Sequence, residues 1–156
     1  MLKASENNYD RALDFARNPP GDKKIAKPSV LGAVLDLGYC LDLTETRYLQ
    51  LVKTSYEVFT LSAETEGKVI PQNKDVKGSN DKLLRKLDCA VIENLHAAQR
   101  STNLEPFDSV RGVFVEGKEL YPGAGFRDKN HIQICIRNPN CIKGFFIPRQ
   151  EVDWKG

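Results

Sequence analysis

Hydrophobic periodicity changes once along this chain, near Pro106, and that change limits the architectures open to it. Ahead of it, two long stretches repeat their apolar residues at α-helical spacing; beyond it, apolar residues fall into short runs punctuated by Gly and Pro, as strands do. Helices followed by strands, rather than the two in alternation, predict an α+β fold with a mostly antiparallel sheet and two long helices packed beside it. The 156 residues suffice for a single domain over 1–156. A domain near this size buries roughly 68–70% of its unfolded surface, so neither metal nor disulfide is required to hold it.

The first helix is expected over 8–17, where Tyr9, Ala12, Leu13 and Ala16 share a face before Asn18-Pro19-Pro20-Gly21 stops it. The run Val30-Leu31-Gly32-Ala33-Val34-Leu35 is continuous and apolar, which reads as a central strand covered on both faces. Asp42 and Thr44 offer N-caps to a helix over 45–65 with Leu49, Val52, Tyr56 and Phe59 on its inner face. Residues 67–80 are polar and read as an exposed, mobile loop. A second long helix follows over 81–100, with Leu84, Leu87, Val91, Leu95 and Ala98 as its apolar stripe. Strands are expected over 110–115, 131–137 and 142–147, the last two joined by the turn Asn138-Pro139-Asn140 as hairpin partners or as arms of one bent strand.

Composition excludes more than it assigns. Lys and Arg number 23 against 21 Asp and Glu, a formal charge of +2 that falls short of a strongly basic nucleic-acid binder. The longest apolar run, six residues, is far below the roughly 18 that span a bilayer. Nothing at the N-terminus resembles a signal peptide, so membrane insertion and export are disfavoured and a cytoplasmic location is expected. Of the four cysteines only Cys135 and Cys141 are neighbours, with five residues between them. A zinc knuckle uses about two to four, so no metal is expected and the four read as free, mostly buried thiols, with pairing in space between scattered cysteines left open by the sequence. Motifs for a serine hydrolase elbow, a Walker loop or a His-Glu-x-x-His zinc helix are absent.

Chemistry concentrates in one place. In His131-Ile132-Gln133-Ile134-Cys135-Ile136, period-two alternation puts His131, Gln133 and Cys135 on one face and three isoleucines on the other. A strand flooring a cleft needs that pattern, and an edge strand with a solvated face produces it too. Just upstream, Tyr121-Pro122-Gly123-Ala124-Gly125-Phe126-Arg127-Asp128-Lys129-Asn130 forms a Gly-jointed loop whose backbone can approach a ligand and whose Arg127 can clamp a phosphate; an ordinary connecting loop has the same composition. His96, inside the second long helix, reads as a packed helix histidine.

Two segments carry a family resemblance. The helix containing Ala12-Leu13-Asp14-Phe15-Ala16 resembles the one that follows the second catalytic strand in ADP-ribosyltransferases of the diphtheria-toxin and poly(ADP-ribose) polymerase type, where Ala-x-x-aromatic-Ala is common. The segment from His131 through Phe146 is similar to that fold's closing strands. The resemblance covers residues 6–36 and 107–148 and implies NAD as cosubstrate and a macromolecular acceptor, protein or nucleic acid. It aligns Gln133 with the catalytic Glu and His131 with the position two residues earlier. It also implies cofactor contacts from Arg127 and Tyr9, and target contacts from Tyr121 and Phe126 in the loop that in this family helps choose the target.

Three departures from the family pattern stand out. The strand bearing the nicotinamide-gripping His or Arg would lie upstream of Met1, so the domain is expected to be shortened at its N-terminus. The motif preceding the first helix has no counterpart in Met1 to Ser5. Gln133 brings no charge to an oxocarbenium-like transition state, and loss of one well-aimed electrostatic group costs about 100- to 1000-fold in rate. The leading expectation is ADP-ribose transfer from NAD; its alternatives, in order, are a non-catalytic interaction or regulatory module of the same fold and nucleic-acid binding through Lys74, Lys77, Lys82, Arg85 and Lys86.

Overall fold

Isoleucines at alternate positions give the segment from His131 a wholly apolar side, which fixes the face it buries, and pairing on both edges would put it in the middle of a sheet. In the computed structural model, which describes residues 2–5, 9–19, 24–76 and 82–148, this is so. The elements run β1 (Leu2–Ser5), α1 (Tyr9–Arg17), β2 (Gly32–Leu35), β3 (Cys40–Asp42), α2 (Thr46–Thr65), β4 (Lys74–Val76), β5 (Lys82–Leu84), α3 (Lys86–Ser101), β6 (Ser109–Phe114), β7 (His131–Ile136), a 3-10 turn (Pro139–Cys141) and β8 (Ile142–Phe146). The fold is α+β, as the periodicity implied. The chain divides into two compact units, residues 1–40 with 108–156, and residues 41–107.

In the first unit β7 lies between β1 and β6, antiparallel to both. Ile134, Ile136 and Cys141 form its buried core, packed by Leu35, Leu37 and Ile142. The run through Val34 is not a central strand. Among the described residues β2 pairs with β8 alone, in a two-stranded sheet, and Leu31 and Val34 are more than half exposed. Gly32 lies directly under the Phe146 ring, 2.4 Å from where a Cβ would sit, so a side chain there would displace the aromatic. Nor are β7 and β8 hairpin partners. Asn138 accepts a bond from Asn140 N at 3.1 Å and the 3-10 turn then carries the chain from one sheet to the other.

Asp108 ties the loops of this unit together. Its carboxylate accepts from Tyr39 N and from the Asn138 amide, both at 2.8 Å, and its carbonyl accepts from the N–H groups of Arg137 and Asn138. Gly38 turns the chain at φ +58, where a Cβ would meet the Asp108 carboxylate.

The second unit pairs α2 with α3, over a core of Leu41, Ala63, Val91, Leu95 and Phe107. Small residues line the contact: Ser55 Oγ donates to Val91 O at 3.0 Å and Asn94 reaches the same hydroxyl. Leu49 and Tyr56, expected inside, are about half exposed, because Ser55 and Ala63 let the helices approach on a rotated face. Asp42 does not cap α2; its carboxylate closes a local turn onto Thr44, and the cap position is Glu45. α3 begins at Lys86, later than expected. Lys82–Leu84 is a strand paired with Lys74–Val76, so part of the expected 67–80 loop is a small antiparallel ribbon, with 77–80 outside the described residues. Asn73 then caps α3 from a distance, accepting from Leu87 N and Asp88 N. Among the cysteines only Cys141 is buried; Cys40 and Cys135 are half-buried and Cys89 is exposed, which corrects the expectation of mostly buried thiols.

Two measurements probe this packing. Ile136→Ala, at a 4% exposed position, should cost about 2–5 kcal/mol in urea unfolding, whereas exposed Ile147→Ala should stay within about 0.5 kcal/mol. The Asn138 amide, and then the Tyr39 N–H, hold the Asp108 carboxyl below the usual carboxylate range. A value depressed by folding adds stability that is fully present above the unfolded value and disappears as pH falls through the folded one, so Asp108→Asn should flatten the acid limb of the stability profile below about pH 4.

Candidate functional site

His131 opens β7 opposite Phe114 of β6, and Phe15 of α1 meets it from another side. The imidazole is 6% exposed. Its ring stacks on Phe114 at 6.0 Å between centroids and meets Phe15 edge-on at 5.5 Å. Nδ1 lies 2.7 Å from the Lys129 carbonyl, which accepts and so fixes the proton on Nδ1. Nε2 then accepts from the Gln133 side-chain amide at 2.8 Å. Arg11 Nε approaches Nδ1 at 3.4 Å; with Nδ1 donating elsewhere this is contact between two donors, and the shorter bond decides.

Around the imidazole runs a charged layer. The Arg11 guanidinium, 8% exposed, sits 4.3 Å above the Phe15 ring and pairs with Asp14 and Glu116. Lys129 Nζ reaches Asp14 at 3.2 Å, and Asn18 donates to the same carboxylate. The Lys129 and Asn18 bonds keep the Asp14 carboxyl below the usual carboxylate range. A cleft of about 340 Å³ opens here, lined by Asp10, Arg11 and Asp14 of α1 and by Asp128, Lys129 and Asn130. Three carboxylates against two cations leave it with a net negative charge, the wrong sign to attract a diphosphate.

Residues 115–130, between β6 and β7, form an ordered arm. Leu120 N bonds Phe126 O, Ala124 N bonds Tyr121 O, Asp128 N bonds Lys118 O, and Lys129 N bonds Glu116 O. Side chains brace it: Asp128 accepts from Lys118 N, Asn130 from Glu116 N, and Glu119 from Gly123 N. Arg127 donates to Gly117 O at 3.0 Å and lies 3.8 Å from Glu119, so it stiffens the arm from within. Beyond these braces Leu120, Tyr121 and Phe126 stand 60%, 59% and 63% exposed.

The residues expected to form one site are thus spread over three surroundings. His131 and Gln133 bond each other beneath the aromatic rings, Arg127, Tyr121 and Phe126 belong to the arm, and Tyr9 is half-buried at the start of α1. The cleft is built from the first helix and the end of the Gly-jointed loop, both marked in the sequence but not as one site. Arg11 and Glu116 are 105 positions apart, and Asp14 and Lys129 are 115 apart. The basic group beside α3 is carried by several elements: Lys74 lies in β4, Lys82 in β5, and Arg85 pairs with Asp88 at 3.0 Å, with Lys77 outside the described residues. His96 is half-buried beside Phe107. Among the described residues no group of His, Cys, Asp or Glu could hold a metal, and no helix is long and apolar enough to cross a membrane.

Comparison with known protein families, curated sequences and solved structures finds no match to this chain.

The imidazole's surroundings make a prediction that separates structure from chemistry. His131→Ala would leave a void between two rings and strand the Lys129 carbonyl and the Gln133 amide. It should cost about 2–4 kcal/mol in urea unfolding, whereas a solvent-facing histidine held for catalysis would change stability by less than about 0.5 kcal/mol.

Proposed function

We propose that the chain is a non-catalytic protein-binding module whose recognition element is the arm over residues 115–130. The observation that carries this reading is the cluster of Leu120, Tyr121 and Phe126, about three-fifths exposed on a ribbon whose backbone bonds are made within itself. Burying one large apolar side chain yields about 1.5–3 kcal/mol, which this ribbon forgoes while it is alone. Braced aromatics in water are the usual composition of a binding hot spot. If the resemblance to ADP-ribosyltransferases holds, the stretch from Tyr121 to Asn130 would correspond to the loop that in such domains helps choose the target.

Two features weigh against NAD-dependent ADP-ribose transfer. Both ring nitrogens of His131 and one N–H of the Gln133 amide, which that reading assigns to acceptor and ribose, are already bonded to each other and to the Lys129 carbonyl. The neighbouring cleft carries excess negative charge. Nucleic-acid binding has behind it only a formal charge of +2, with Arg85 of the basic group already paired to Asp88.

The test places a photo-crosslinking phenylalanine analogue at Tyr121, at Phe126 and, as a control, at Lys118 in the full chain. One discrete protein adduct is expected from the two tip positions and none from the control. Tyr121→Ala and Phe126→Ala should each weaken affinity for that partner by about ten- to a hundredfold without changing the melting temperature. Tip adducts no stronger than the control, or nicotinamide release when NAD is added, would overturn the reading.

A further inference from the structure

Both strands at the base of the arm are tied to α1 through one carboxylate. Arg11 bridges Asp14 to Glu116 on the outgoing strand, and Lys129 on the returning strand reaches Asp14 directly at 3.2 Å. Asn18 donates to the other oxygen of Asp14 at 3.0 Å. Beneath these pairs His131 holds the Lys129 carbonyl at 2.7 Å, so the returning strand is gripped by backbone as well as side chain. The arm needs such anchorage. A two-stranded ribbon without a core is marginal in water, and within this one only Ala124 is buried.

We propose that these contacts form a charge latch, centred on the Asp14 carboxylate, that holds the arm against α1 and sets the posture in which Leu120, Tyr121 and Phe126 are offered. Its consequence for recognition rests on the arm being the recognition element; the latch itself does not. The six residues lining the cleft include Arg11, Asp14 and Lys129, so the latch spans that hollow. Its halves differ in kind. The Arg11 guanidinium is buried and largely shielded from salt, while Lys129 is 48% exposed and its pair is screened as ionic strength rises. The Lys129 half is therefore the one that opens first.

Amide hydrogen exchange on the full chain tests this without a partner. In Asp14→Asn and in Lys129→Glu, the arm amides of Lys118, Leu120, Ala124 and Asp128 should exchange about tenfold faster than in the parent. Amides of the β6–β7 ladder should be unchanged, and Lys129→Arg should keep parental rates. Unchanged arm amides in both variants would overturn the latch, as would arm and ladder amides accelerating together, since that is plain loss of stability. Faster arm exchange with undiminished crosslinking at Tyr121 and Phe126 would keep the latch and remove its part in recognition. Loss of the tip adduct in the parent chain would instead remove the binding reading and leave the exchange result standing.

Discussion

Taking a guanidinium out of water costs several kcal/mol unless carboxylates and hydrogen bonds replace the lost solvent. Arg11, 8% exposed, imposes that requirement on everything near it. Asp14 must stand one helical turn along α1, Glu116 must lie where β6 runs into the arm, and the Phe15 ring must offer its face to the cation. Once Phe15 is placed, its edge closes over His131, and the imidazole is committed to bonds inside the protein. The arm's anchorage, the shape of the cleft and the burial of the histidine follow from accommodating one charge.

β7 makes that accommodation possible because each of its faces is used differently. Ile134 and Ile136 point into an apolar core with Cys141, while His131 and Gln133 on the opposite side bond each other along the strand. Side chains two apart on a strand share a face about 7 Å apart along the chain, close enough for an imidazole and an amide to meet. Polar groups buried on such a face are tolerable only when satisfied, and here both ring nitrogens are. The half-polar alternation that could mark a cleft floor belongs to a strand covered on both sides.

Much of the fold was legible because it rests on local period. β6, β7, α1 and α2 fall within a few residues of where apolar spacing and Pro-Gly punctuation put them. What escaped depends on size or on distant partners. The α2 face was misjudged because apolarity marks Leu49 and Tyr56, while close helix contact selects Ser55 and Ala63. The first turn expected of α3 became a strand because Lys82–Leu84 pairs with Lys74–Val76, a partner within a stretch that reads as polar loop. For the candidate site the gap was wider. His131, Gln133 and the arm stood out as chemistry, yet Arg11, Asp14 and Glu116 look like ordinary surface charges, and nothing local shows that one of them is buried.

The identity of residue 133 fits this balance. A neutral amide can donate to the imidazole while Nδ1 keeps its proton on the Lys129 carbonyl, and it adds no charge to a neighbourhood already holding Asp14, Glu116, Arg11 and Lys129. A carboxylate there could not donate to Nε2. It would require the imidazole to turn its proton or gain one, either abandoning the Lys129 carbonyl or setting a second cation 3.4 Å from Arg11. The amide that weakens the case for transferase chemistry is thus the group that the packing of His131 calls for, and the same bond that occupies it helps seat the returning strand of the arm.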